Sequence, residues 1–324
     1  MRAFESLTRP GQNRRLRALA IDALRQYDLD LARCSFVDRA FNTVFRADAT
    51  DGTAHALRVS PSFRIHADGC EVAEAAWLEA LRRDADLPVP RVIPARDGSV
   101  VVWASSDGVP DARSCVLFEW VRGHQLREHL RADHVHRAGA LAALVHEQAA
   151  GYVSDPPAGV IVADHVIYFG SPRLEGLRST YGSLLDDAVD RAQQALDQLW
   201  RDPPHRPHLL HGDLQPGNMM VHRNHVVLLD FQDLVWGFDV LDVSIARLAF
   251  ERLGASDPWA AAFRSGYESV RPWPAADPEI DSALRAARRL NELNYGITVG
   301  LPDLDAFVAR HVTQLEEWMT PRMK

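Results

Sequence analysis

Lysine is almost missing from this 324-residue chain: every basic side chain other than histidine is arginine, except Lys324. A phosphate-binding loop of the G-x-x-x-x-G-K type ends on an internal lysine, so that class of nucleotide site is excluded. Schiff-base and pyridoxal chemistry on an internal lysine are excluded with it. Cysteine is scarce as well. Cys34, Cys70 and Cys115 stand far apart with no C-x-x-C pair, which fits a reducing compartment and speaks against a structural zinc or a disulfide framework. No apolar run reaches 18 residues, and MRAFESLTRPGQNRR has no hydrophobic signal core. The expectation is a cytoplasmic protein with no membrane span and no signal peptide. Net charge of −8 argues against a general binder of nucleic acid or anionic membrane. What remains is the composition of an ordinary globular chain, 47% hydrophobic and 25% charged, long enough for one large domain or two smaller ones.

The informative stretch is HLLHGDLQPGNMMVHRNHVVLLDFQD, residues 208 to 233. It holds His211, Asp213 and Asn218 as H-x-D-x-x-x-x-N, with Asp230 twelve residues after Asn218 at the end of an apolar run. Met219 to His222 and Val226 to Leu229 flank Arg223-Asn224 and read as a hairpin. Closing that hairpin brings Asn218 at its entry beside Asp230 at its exit. An amide oxygen next to a carboxylate makes a sparse, hard oxygen site of the kind Mg²⁺ takes while keeping waters and nucleotide phosphates. Asp213, on the tight loop just before, is placed to accept a proton from a hydroxyl nucleophile. Any one of these residues alone reads as a turn cap. Together, at these spacings, they carry the logic of a kinase catalytic loop.

These residues resemble the aminoglycoside phosphotransferase and choline kinase group of the protein-kinase-like superfamily, which also holds homoserine, fructosamine and stress-response kinases. The resemblance implies a two-lobed α+β fold: an antiparallel sheet with one main helix over residues 1 to 121, and a larger, mainly helical lobe over 122 to 324. It implies ATP or GTP with Mg²⁺ as cofactors, Asp213 as base, Asn218 and Asp230 as metal ligands, and a small-molecule hydroxyl compound as acceptor. Within the same resemblance, a stress-response Ser/Thr protein kinase and an inactive nucleotide-binding relative are the alternatives. Gln215 departs from the pattern, standing where protein kinases have Lys and many relatives have His. That weakens the expectation of a second cation near the transferred phosphate.

The N-terminal third fits the smaller lobe. Residues 13 to 26 carry Leu16, Leu19, Ala20, Ala23 and Leu24 at helical spacing. Strand-like runs follow at 31 to 37, 42 to 47 and 55 to 59. The connection Val37-Asp38-Arg39-Ala40-Phe41 has no glycine, so a glycine-rich phosphate loop is missing, and Asn42 with its neighbouring N–H groups is the candidate replacement. Arg58 occupies the strand position where kinases place a phosphate-binding lysine paired with a Glu. On the next helix, about 70 to 83, Glu74 shares the inward face with Trp77, Leu78 and Leu81 and is the expected partner, ahead of Glu71. In CVLFEWVRG the resemblance implies adenine contacts from the Glu119 carbonyl and Val121 amide, with Phe118 behind them.

The remainder reads as helices near 137 to 149, 183 to 200, from Asp257-Pro258, 277 to 294 and 302 to 318. His205, His208 and His211 are spaced by three, but the prolines among them forbid a helix that would align them for zinc. The resemblance makes Asp242 a support for the catalytic loop. Only eleven residues separate Asp230 from Asp242 and no A-P-E follows, too little chain for a peptide platform. Asp233, Trp236, Phe238 and Asp239 on that connection are candidates for meeting a cationic amine on the acceptor.

Overall fold

The computed structural model describes residues 3–253, 258–274 and 276–320. The chain divides into two compact units, one of Met1–Arg64 with Glu71–Arg122, the other of Ile65–Cys70 with Gly123–Lys324. The first unit contains α1 (Arg9–Leu24), β1 (Leu31–Arg39), β2 (Thr43–Ala49), β3 (Ala54–Val59), α2 (Cys70–Ala85), β4 (Val92–Ile93), β5 (Val102–Ala104) and β6 (Arg113–Glu119). Its antiparallel sheet runs β1-β2-β3-β6-β4, with β5 also pairing β6. Strand β2 alternates buried and half-buried positions along its whole length, the period that makes one face of a sheet apolar. Leu16, Leu19, Ala20, Ala23 and Leu24 of α1 pack on that face against Phe45, Leu57, Val59, Cys115 and Leu117. Helix α1 starts four residues earlier than the periodicity places it. Thr8 caps it by accepting from the Gly11 N–H at 3.4 Å, and Pro10 fits the first turn, where no N–H is needed.

The second unit contains β7 (His124–Gln125), α3 (Ala132–Tyr152), β8 (Ile161–Val162), α4 (Arg178–Tyr181), α5 (Leu184–Arg201), β9 (His208–Leu210), β10 (Met219–His222), β11 (His225–Leu228), β12 (Val235–Gly237), α6 (Asp239–Arg252), α7 (Pro258–Glu268), α8 (Pro278–Val299) and α9 (Leu304–Met319). Helix α7 begins at Pro258; the Asp257 cap lies outside the described residues. Two small sheets, β11-β10-β7 and β8-β12-β9, bracket the 208–233 stretch. Helices α5, α8 and α9 share a core built on Leu185, Ala188, Leu290, Leu293, Val312 and Leu315. No described helix is long and apolar enough to cross a membrane.

Helices α3 and α7 approach so closely that two glycines form the contact. A Cβ on Gly139 would lie 1.9 Å from the Phe263 carbonyl oxygen, and one on Gly266 would lie 1.7 Å from that of His136. Gly266→Ala is therefore expected to lower unfolding free energy by at least about 2 kcal/mol in urea titration, since the backbones must part. Gly151→Ala, where nothing lies within 4 Å, should be neutral or stabilising by up to about 1 kcal/mol.

Candidate active site

The loop of residues 211–218 is fixed from below before any of its side chains act. All three residues of β9 are buried. Gly212 then turns with φ +77°, and a Cβ there would sit 1.8 Å from the Asp233 carbonyl oxygen, so only glycine fits. Asp242, near the start of α6, accepts from the His211 N–H at 2.8 Å through Oδ2 and from the Gly212 N–H at 2.9 Å through Oδ1. Burial alone would raise this carboxyl, but the hydrogen bond and charge of His146, with the hydrogen bond from the His211 N–H, hold it below the ordinary range. His211 Nδ1 accepts from the Asp213 N–H at 3.2 Å, which leaves Nε2 to donate to the Leu229 carbonyl at 2.8 Å. The histidine thus ties the loop to the end of the hairpin.

The hairpin pairs Met219 with Leu228 and His222 with His225 across Arg223-Asn224, one residue earlier on its second strand than the apolar run suggests. The Leu229 N–H donates to the Asn218 carbonyl at 2.7 Å, which extends the pairing outward by one position. Asn218 and the residue preceding Asp230 are therefore neighbours. Asp230 is exposed, with φ 61° and ψ 64°, a left-handed backbone that Asp tolerates better than most residues and that is a recurrent form of strain at functional sites.

Both carboxylate oxygens of Asp213 are held. Oδ2 accepts from Asn218 Nδ2 at 2.7 Å and from Gln215 Nε2 at 2.7 Å. Because the Asn218 amide must present its N–H₂ group to a carboxylate, its own Oδ1 is directed away from Asp213. Oδ1 of Asp213 is taken by Arg288 of α8, which also reaches the Gly212 carbonyl at 3.4 Å and Glu292 at 3.0 Å. Burial would lower the Arg288 pKa, but Asp213, Glu292 and Asp233 push it above its ordinary value. Glu292 is pulled down despite burial by a His311 hydrogen bond and by Arg288 and Arg252. His66 meets Asp233 at 2.7 Å and holds that carboxyl low. Tyr168 and Tyr295, whose phenols are pushed up to about 12 mainly by burial, feel the charges of Asp213 and Asp233.

In the first unit, Arg58 and Glu74 are both buried and form a two-pronged ion pair, one prong Nη1 to Oε1 at 2.9 Å and the other Nη2 to Oε2. The Arg58 guanidinium lies 5.0 Å from the centre of the Phe118 ring. Glu71 is engaged elsewhere, accepting from Ser114 Oγ at 2.9 Å. Asn42 lies half-buried in the turn between β1 and β2. Glu119 closes β6 with its N–H on the Arg91 carbonyl at 2.8 Å, and Val121 follows half-buried.

Several residues of the 231–242 connection differ from the sequence-based expectation. Phe238 and Asp239 are buried completely or nearly so, and Trp236 is 4% exposed. They build the interior under the loop and have no open face for an amine; Asp233, paired with His66, keeps partial exposure. Arg288, Glu292, His66, Tyr168 and Tyr295 carried no signal in the sequence. His205 and His208 do come together, with Asp239 rather than with His211.

Asp242→Asn should lower unfolding free energy at neutral pH by about 1–3 kcal/mol, because one of two buried N–H groups then faces an amide N–H₂. A carboxyl depressed in the folded state stabilises above its unfolded value, 3.8, and that contribution is lost as pH falls through the folded value. The acid limb of a stability profile below about pH 4 should accordingly be shallower in the variant. An unchanged limb would remove Asp242 from this role.

The sequence model of the phosphotransferase enzyme family matches residues 36–279. Among solved structures, an amicoumacin kinase in complex with AMP-PNP, Ca²⁺ and Ami superimposes with a TM-score of 0.71 at 16% identity, covering 96% of this chain and 97% of that one. A microcompartment-associated aminopropanol kinase gives 0.69 at 24% identity, with 93% and 94% coverage. A spectinomycin phosphotransferase solved with ADP and spectinomycin gives 0.62 at 10% identity, with 94% of each chain covered. No curated protein sequence matches. The likeness in fold is to kinase-like enzymes with an antiparallel-sheet unit and a helical unit.

Proposed function

We propose that this chain, which belongs to the phosphotransferase enzyme family, moves the γ-phosphoryl group of ATP to a hydroxyl of a small molecule. The observation that carries this is the Asp213–Asn218 contact at 2.7 Å. It holds the carboxylate proposed as base and leaves the Asn218 amide oxygen directed away from Asp213. Amide oxygen and exposed carboxylate form a hard, sparse donor set that suits Mg²⁺. When bound by Asn218 and Asp230, the metal would supply positive charge against the transferring phosphoryl group. Arg58, oriented by Glu74, is the phosphate-holding cation of the first unit, with Asn42 and the N–H groups of its turn beside it. The Glu119 carbonyl, the Val121 amide and Phe118 are the adenine contacts.

In the reaction the acceptor hydroxyl hydrogen-bonds to Asp213. Its oxygen bonds to the γ-phosphorus as the bond to the bridging oxygen of ADP breaks, and its proton passes to the Asp213 carboxylate. Arg288 and Gln215 keep that carboxylate from rotating. A small acceptor fits the eleven-residue connection between Asp230 and Asp242, and the neighbouring folds include enzymes named for amicoumacin, aminopropanol and spectinomycin. A screen of labelled phosphate transfer from Mg·ATP to amino alcohols, sugars and aminoglycosides tests the reading. Saturable transfer to at least one of them is expected, and its loss in Asp213→Asn. Efficient phosphorylation of generic proteins with no small acceptor would contradict it.

Arg288 supplies, from α8, the positive charge that Gln215 does not. Arg288→Gln should lower kcat by about 10²-fold with little change in KM for ATP, the loss of one charge-assisted contact to the base. Because Gln215 Nε2 already lies 2.7 Å from Asp213 Oδ2, Gln215→Lys in that background should return roughly a tenth or more of the activity. Failure of that rescue, with kcat and thermal stability falling together, would make Arg288 a structural residue only.

A further inference from the structure

Below the catalytic loop, on the side of β9 and α6, three metal-ligating side chains meet. His205, His208 and Asp239 each offer one ligand atom, all within 4.8 Å of one another. Their closeness comes from strand pairing: His208 lies opposite Gly237 in the β9–β12 ladder, two residues before Asp239. The two imidazoles stack at 18° with centroids 5.4 Å apart. His208 and Asp239 are 3% and 1% exposed.

The protonation pattern is decided by the backbone. His205 Nδ1 lies 2.8 Å from the Arg206 carbonyl and His208 Nδ1 lies 2.9 Å from the Leu209 carbonyl. A carbonyl only accepts, so both rings carry hydrogen on Nδ1 and, when neutral, a lone pair on Nε2. Both Nε2 atoms and Asp239 Oδ1 are buried without a hydrogen-bond partner. His208 Nε2 approaches Asp239 Oδ1 to 2.7 Å, but off the direction a hydrogen bond requires. Two lone pairs and a carboxylate oxygen that face one another repel unless a proton or a metal cation lies among them. Nδ1–H donated to a carbonyl is also the arrangement that orients a histidine for metal through Nε2. Arg271 lies at 3.1 Å on the other carboxylate oxygen, Oδ2, and leaves Oδ1 to the cluster.

We propose that His205, His208 and Asp239 form a structural binding site for a late first-row divalent cation of the Zn²⁺ type. Two imidazoles and a carboxylate are the donor set such ions select. Mg²⁺ prefers oxygen ligands and would not compete well. The site is separate from Asn218 and Asp230. It would tie the proline-rich lead-in before β9 to the first turn of α6, three residues before the Asp242 that holds the loop. His146 contacts both acids, at 3.3 Å from Asp239 and 3.1 Å from Asp242.

The test uses the full chain stripped with a chelator and returned to excess Mg²⁺, then titrated with Co²⁺ and with Zn²⁺. One Co²⁺ per chain is expected, with visible absorption bands that Zn²⁺ abolishes. Affinity should fall at least ~100-fold in His208→Ala and in His205→Ala. The His205 side chain is partly exposed, so that variant should melt near the wild-type temperature without metal, and Zn²⁺ should raise the melting temperature of the wild type alone. Asp230→Ala should keep the Co²⁺ bands. No saturable Co²⁺ or Zn²⁺ binding would overturn the proposal, as would bands that persist in both histidine variants or vanish in Asp230→Ala.

Discussion

One buried carboxylate sets the site. Asp242 accepts two consecutive backbone N–H groups, those of His211 and Gly212, one on each oxygen. Buried amides without partners are costly, so the loop has one conformation in which both are satisfied. From that fixed base, Gly212 turns where no other residue fits, His211 reaches across to the hairpin, and Asp213 emerges with a defined direction. The carboxylate that does this is itself kept ionised by His146. The chemistry proposed for Asp213 therefore rests on an anion that touches no substrate.

Short of Lys324, all fixed positive side-chain charge in this chain is carried by arginine. Arg58 meets Glu74 with both prongs, and Arg288 is shared among Asp213, Glu292 and the Gly212 carbonyl. A planar guanidinium can serve several acceptors at once in fixed directions, which an ammonium cannot. In this chain that geometry lets a helix remote in sequence contribute a cation to the loop of residues 211–218.

Much of this was legible in the residues themselves. The H-x-D-x-x-x-x-N spacing and the apolar runs around Arg223-Asn224 define a hairpin whose ends must meet, and the pairing of Met219 with Leu228 follows. The helical stripe that turns Glu74 inward also turns it toward Arg58. Arg288 was hidden because it lies 75 residues from Asp213, on a helix where Arg285 and Arg289 read no differently. The prolines correctly rule out a helix for the three histidines. They say nothing of β9–β12 pairing, a three-residue ladder that sets His208 two register steps from Asp239. Strands as short as β7, β8 and β12 have too few residues to show alternation. Trp236 and Phe238 looked like aromatic contacts for a ligand because exposure cannot be read from residue type.

Under the proposed function two jobs fall to different residues: proton acceptance to Asp213, and metal and nucleotide binding to Asn218 and Asp230. Calorimetric titration of Mg·AMP-PNP into the Asp213→Asn and Asp230→Ala proteins measures that separation directly. The account predicts binding close to wild type in the first and binding lost or weakened at least ~10-fold in the second. Equal losses in both, or full binding in Asp230→Ala, would contradict it.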